Sequence, residues 1–195
     1  MSGWQTLTGS AVALPHSNID TDQLIPARFM SQPRSAGYGS FLLHDLRGAQ
    51  EGHLLDQYRP KVLVAGRNFG SGSSREAAVY ALVDYGIKAV FAPSFGDIFA
   101  GNAVNNGLLA AQIDDGVLAM LIDTMANTAG EAQVDLTTGR ARIVGHDIGF
   151  DLDPVRRQKL INGWDDIDLT AQYSEEIETF RAARFVAHPW ALPTT

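Results

Sequence analysis

The chain has 195 residues, of which 45% are hydrophobic and 19% charged, with a formal net charge of -7 and no cysteine. That length suits one domain, or one domain with a helical tail, and the apolar share is enough for a core. The acidic balance and the lack of a long basic run exclude a nucleic-acid footprint, no apolar run nears the ~18 residues of a membrane span, and without thiols the chain has no disulfide, thiol nucleophile or thiolate metal site.

The start, MSGWQTLTGSAVALP, lacks a basic segment followed by an apolar one, so no secretory signal is read and a cytoplasmic location is expected. The histidines, His16, His44, His53, His146 and His188, show neither HxxxH nor HxH spacing. No autonomous metal site is therefore expected.

In chain order, residues 5–14 (QTLTGSAVAL) read as a first strand. Asn18 to Asp22 is a turn, with Asp20 or Asp22 available to cap a short helix. Residues 31–40 (SQPRSAGYGS) read as a flexible loop, a lid or docking segment. Lys61 to Ala65 (KVLVA) is a strand apolar enough to be buried on both faces. A glycine-rich loop, Gly66 to Ser73, leads into SREAAVYALVDYG, a helix with Ala78, Leu82 and Tyr85 on one face and Gly86 as its end.

Ala89–Ala92 is a second buried strand, and Ser94 is the expected cap of a helix over 95–105. Leu108–Ile113 follows as a strand, and Asp114 as the cap of a helix to about Met125. This β-loop-α-β-α-β-α order predicts an α/β fold with a parallel or mixed sheet covered by helices. Residues 131–144 read as a hairpin turning at Thr138-Gly139. Residues 153–185 read as two helices broken near Gly163-Trp164, the first opened by Asp153-Pro154. The whole is expected to form a single domain over 1–195, with its core at about 5–150 and C-terminal helices at about 153–185.

The chemistry concentrates in GRNFGSGSSRE, Gly66 to Glu76. A glycine-rich turn running into a helix start brings unpaired N–H groups and positive dipole to one point. Ser73, Ser74 and Arg75 stand there, and such a site holds an anion. Arg75 adds a planar fork suited to a carboxylate or phosphate. A P-loop is excluded because no lysine lies between Lys61 and Lys88, and a GxGxxG fingerprint fails at Arg75. GxSxG is absent too, so Ser73 reads as a base rather than a hydrolase nucleophile. A serine serves as a base only if several donors stabilise its alkoxide. A second reading stays open from the residues alone: the glycines make a tight turn, and Ser73 or Ser74 merely caps the helix.

NFGSGSSRE, followed by ALVDYGIKAVFAPSFGDIFAGNAVNNGLL, resembles the small-subunit family of 3-isopropylmalate dehydratase, the counterpart of the swivelling domain of aconitase. NIDTDQLIP, Asn18 to Pro26, matches the family's other hallmark, about fifty residues upstream. The resemblance covers roughly residues 5–185. It implies a swivelling β/β/α domain of the aconitase type with a C-terminal helical segment. It also implies a heterodimeric hydro-lyase in leucine biosynthesis, active only with a large subunit. That subunit would carry a [4Fe–4S] cluster, with no cofactor in this chain. The substrate would be a small hydroxy-dicarboxylate, isomerised by dehydration and rehydration. By alignment with the family motifs, Ser73 takes the place of the catalytic base. Ser74 and Arg75 take those of substrate-carboxylate binders, and Asp22 that of an acidic active-site residue.

Two departures stand out. The family's SSREHA is SSREAA here, with Ala77 in place of histidine. Its RTG loop is Arg34-Ser35-Ala36-Gly37, so Arg34 is either a reader of the substrate side chain or a solvated loop charge. Both bear on which substrate is taken rather than on the reaction class. Two other functions are therefore weighed beside the first. One is a paralogous hydro-lyase subunit for a methylmalate–citraconate or dimethylmalate type of substrate. The other is a non-catalytic anion-binding module.

Overall fold

The computed structural model describes residues 2–49 and 52–191. The first strand, β1 (Thr6–Leu14), pairs in parallel with β2 (Val62–Ala65), placing Val12 beside Leu63 and Leu14 beside Ala65. β3 (Ala89–Ala92) and β4 (Leu109–Gln112) extend the same parallel run. Every residue of β2 and β3 is buried. Val12, Leu63 and Val90 face one core, while Ala11, Val62, Val64 and Phe91 face the other. A strand covered on both faces has no position where a polar side chain stays hydrated, which is why these segments are continuously apolar.

The free edge of β1 carries an antiparallel meander of β5 (Gly130–Asp135), β6 (Arg140–Ile143) and β7 (His146–Gly149). The seven strands form one mixed sheet in the order β4-β3-β2-β1-β5-β6-β7. The expected hairpin is present and turns through Gly139 at φ 66. A third strand follows it that the hairpin reading did not contain. The chain reaches β7 through Val144 and Gly145, both in the left-handed region. β7 is four residues long and begins His-Asp, too short and polar to announce itself by alternation.

Three short helices precede β2: α1 (Thr21–Leu24), α2 (His44–Ala49) and α3 (Leu54–Tyr58). Asp20 caps α1 through a reciprocal box with Gln23. Between α1 and α2, residues 31–40 hold two 3-10 turns rather than an open loop. Tyr38 is the anchor: its ring is buried and its hydroxyl donates to the Gln32 carbonyl at 2.8 Å. The composition of this segment hid the one large apolar residue that ties it down.

α4 (Glu76–Tyr85) ends at Gly86, whose φ of 110 only glycine adopts cheaply. α5 (Asp97–Asn105) starts after Gly96 and has no side-chain cap. Ser94 therefore does not cap it, contrary to expectation. Its hydroxyl instead accepts the Asn68 amide at 2.9 Å. Asp114 does precede α6 (Asp115–Met125), but its carboxylate makes no capping bond.

Three helices, not two, form the C-terminal part: α7 (Pro154–Asn162), α8 (Asp166–Ala171) and α9 (Ser174–Ala187). Asp153 caps α7 as expected, accepting from Val155 and Arg156, and Gly163 ends it at φ 73. The break after α8 falls at Gln172-Tyr173, where no glycine or proline marks it. α7 is anchored by buried Lys159, whose Nζ lies 2.5 Å from both Asn105 Oδ1 and Asp166 Oδ1. α8 and α9 bury no residue, and Ile167, Phe180, Phe185 and Trp190 stand exposed.

His53 gives the fold a pH dependence. It is buried and caps α3, its Nδ1 accepting the Leu55 amide at 3.2 Å. Burial pushes its imidazole below the usual histidine range, and the charge of Arg47 adds to this while Asp56 opposes it. Below about pH 6.5 the unfolded chain binds a proton that the folded chain resists. The contribution of neutral His53 to stability is thus lost as pH falls below that point. The melting temperature is expected to drop from pH 7.5 to about pH 5.5, and His53→Asn, which keeps a capping acceptor, should flatten that slope. Thermal scans of both chains across this range check it.

Candidate active site

Three loops meet at the carboxyl ends of β1, β2 and β3, where parallel α/β sheets bind ligands. The central one is Gly66 to Arg75. On one side it runs parallel to residues 18–21. The Asn18 amide donates to the Arg67 carbonyl at 2.7 Å, Gly70 to Ile19 at 2.7 Å, and Thr21 to Ser71 at 2.9 Å. On the other side the Phe69 amide donates to Ser94 at 3.1 Å, and Gly96 to Phe69 at 3.0 Å. The loop is therefore held as a strand-like ribbon between two neighbours. Beneath it, Phe69 is fully buried against Phe95 and Phe99, with ring centroids 6.3 and 5.5 Å away.

Asn18 and Asn68 share one device. Both adopt the left-handed region, at φ 60 and 58, and the Asn68 amide group donates to the Asn18 side-chain carbonyl at 2.9 Å. Asparagine tolerates this backbone better than most residues. The pair staples the NIDTDQ segment to the glycine-rich loop. Sequence reading did not single out either residue for this. The available signal was an asparagine at each point where the chain bends sharply.

Gly70 has φ 71, and a Cβ there would stand 2.2 Å from the Phe99 ring. Gly70→Ala combines a disfavoured backbone with a clash in a packed core. It is expected to cost about 2–4 kcal/mol. Denaturant midpoints of the two chains measure this directly.

The turn ends in Ser73, Ser74 and Arg75. The two serines are exposed, and among the described residues neither hydroxyl has a hydrogen-bond partner. Arg75 occupies the capping position of α4, and no side chain caps that helix. The capping reading of Ser73 or Ser74 is thus not what the structure has. The first-turn N–H groups of α4 remain available at the same place, with the positive end of the helix dipole behind them. Among the described residues, no donor bonds to the Ser73 hydroxyl oxygen.

Arg75 and Asp22 form an ion pair across fifty-three residues of sequence. Asp22 is in the first turn of α1, so two helix starts face each other through this pair. Glu76, next along α4, accepts from the Asn106 side chain at 2.8 Å. Ala77, in the first turn of α4, is partly buried and packs against the core. Ser73, Ser74, Arg75 and Asp22 are therefore brought together. Arg34 is not. It pairs with Asp84 at 3.0 Å and lies 3.8 Å from the Tyr80 ring centroid, along the later turns of α4.

Residues 1–116 match the family described as the aconitase C-terminal domain. The chain is also 42% identical to the 3-isopropylmalate dehydratase small subunit of Rhodospirillum centenum, over 98% of this chain and all of that one. It belongs to this small-subunit family. The corresponding protein of Parafrankia sp. is 40% identical, with both chains covered in full. In three dimensions the fold is similar to a crystal structure of 3-isopropylmalate dehydratase from Methanocaldococcus jannaschii. The TM-score is 0.67 at 26% identity, with 89% of this chain and 99% of that one covered. The family match includes all three loops of the site, from Asn18 to Gly96.

Proposed function

We propose that this chain is the small subunit of a cytoplasmic, heteromeric hydro-lyase that interconverts 2-isopropylmalate and 3-isopropylmalate in leucine biosynthesis. The whole chain acts as a single swivelling domain. The observation that carries this reading is the Ser73-Ser74-Arg75 turn, presented at the start of α4 and joined to Asp22. The full-length likeness to small subunits supports it, as does the exposed apolar tail, which suits a chain that works inside an assembly.

Ser73 is the group that takes the proton from carbon. Its exposed hydroxyl faces no competing partner among the described residues. Arg75 and Ser74, with the first-turn amides of α4, hold a substrate carboxylate. Asp22 keeps the Arg75 fork oriented until the substrate arrives. The proton leaves one carbon to Ser73, hydroxide leaves the adjacent carbon, and an alkene results. Return of the proton and of hydroxide, together one water, to the opposite carbons gives the isomer. Arg34, held along α4 by Asp84 and Tyr80, stands apart from this carboxylate site.

The [4Fe–4S] cluster that this chemistry implies belongs on the large subunit. This chain has no cysteine to hold one, and among the described residues no group of three or more histidine or acidic side chains stands ready for a metal. In this reading, hydroxyl activation is the large subunit's part of the reaction.

Co-expression with a cognate large subunit, anaerobic cluster reconstitution and an assay over several malates tests the reading. The highest kcat/KM is expected for isopropylmalate. A higher value for methylmalate or dimethylmalate would favour the paralogous substrates instead. An assembled but inactive complex would leave only an anion-binding module.

A further inference from the structure

We infer that Thr21 is a positioning residue that sets the place of Ser73. This rests on the reading of Ser73 as the base. Thr21 is only 2% exposed, the most buried polar side chain among the described residues. A buried hydroxyl costs free energy unless it is partnered, and valine would fill the same space without that cost. Its hydroxyl donates to one group, the main-chain carbonyl of Ser73, at 3.1 Å. α1 does not need this hydroxyl, since the Asp20–Gln23 box already satisfies its start.

The contact lands at the turn that presents Ser73. Gly72, just before Ser73, has φ 91, and the Ser73 side chain is exposed without a partner among the described residues. The backbone therefore sets where its Cβ stands, and with it the few staggered positions open to Oγ. The Ser73 carbonyl is fixed twice, by the Arg75 amide at 2.7 Å and by Thr21 Oγ1. The Thr21 amide also donates to Ser71, two residues earlier, so one residue grips the loop on both sides of Gly72. Its neighbour Asp22 holds Arg75. Two successive residues of one short helix thus locate the base and the carboxylate binder relative to each other. A shift of about 1 Å in a reacting group is enough to cost up to ~100-fold in rate.

The test uses the assembled two-subunit enzyme carrying Thr21→Val, Thr21→Ser, Thr21→Ala or Ser73→Ala. Thr21→Val is expected to lower kcat roughly tenfold or more while KM, melting temperature and subunit association stay near normal. Thr21→Ser, which keeps the hydroxyl, is expected to restore most of kcat. A Thr21→Val enzyme with normal kcat, or a loss that Thr21→Ser does not repair, overturns the assignment. If Thr21→Val does not assemble, Thr21→Ser against Thr21→Ala reads the same hydroxyl: equal kcat in the two overturns it, and a loss confined to alanine supports it. Ser73→Ala separates the two ideas. Full activity there removes the base itself, whereas an inactive Ser73→Ala beside a normal Thr21→Val removes only the positioning role.

Discussion

Ser73→Ala is expected to lower kcat of the assembled enzyme by roughly 10²-fold or more, with folding and subunit association unchanged. The separation of these effects follows from the local structure. Ser73 is exposed, its hydroxyl bonds to nothing among the described residues, and the capping position of α4 belongs to Arg75. Losing the hydroxyl therefore removes no contact that holds the fold. A capping serine would behave otherwise, costing about 1 kcal/mol on change to alanine and tolerating aspartate. Ser73→Asp is a useful companion, because a carboxylate is a poor stand-in for an alkoxide that must take a proton from carbon. Measuring kcat and the melting temperature of both variants in the two-subunit enzyme decides the matter. Near-normal kcat in both would remove Ser73 as the base and the proposed mechanism with it.

For Arg75, the expected loss in kcat/KM is about 10²–10³-fold on change to alanine and roughly tenfold on change to lysine, the latter mostly in KM. The Arg75 side chain is partly buried at the start of α4, 23% exposed, and it is already paired with Asp22. A fork of this kind meets one carboxylate with one edge while presenting another to a second. Lysine keeps the charge but not the two-edged geometry, so it cannot serve both Asp22 and a substrate carboxylate in the same way. Asp22→Asn should raise KM by a smaller factor, because the fork is then less firmly oriented. Steady-state kinetics over isopropylmalate concentration separates KM from kcat in each variant. An unchanged KM in Arg75→Lys would mean that the substrate carboxylate is held elsewhere.

Much of the arrangement was legible in the residues. The apolar runs at 62–65 and 89–92 announced strands with no solvent face, and both are buried at every position. Gly86, Asp153 and Gly163 marked helix ends where the structure has them. The motif residues Ser73, Ser74 and Arg75 were visible as a cluster because they are neighbours in sequence. Other elements were not legible. Ser94 looked like a helix cap but serves the Asn68 amide, a partner on a different loop. The break between α8 and α9 carries no glycine or proline, and β7 is too short to show alternation.

What the sequence determined by itself is what depends on near neighbours: strand burial, helix ends, the glycine-rich turn and the chemistry of the side chains at its tip. The tertiary structure alone decided what depends on groups far apart in the chain. The Asp22–Arg75 pair, the Thr21 hydroxyl on Ser73 and the Asn18–Asn68 staple each join segments about fifty residues apart. No local propensity encodes them. They arise because β1 and β2 lie side by side in parallel, which brings the loops leaving their carboxyl ends into register. Arg34 shows the same rule in reverse. Its composition-rich loop suggested freedom, but Asp84 and Tyr80, on a helix some fifty residues later, determine where its charge is held.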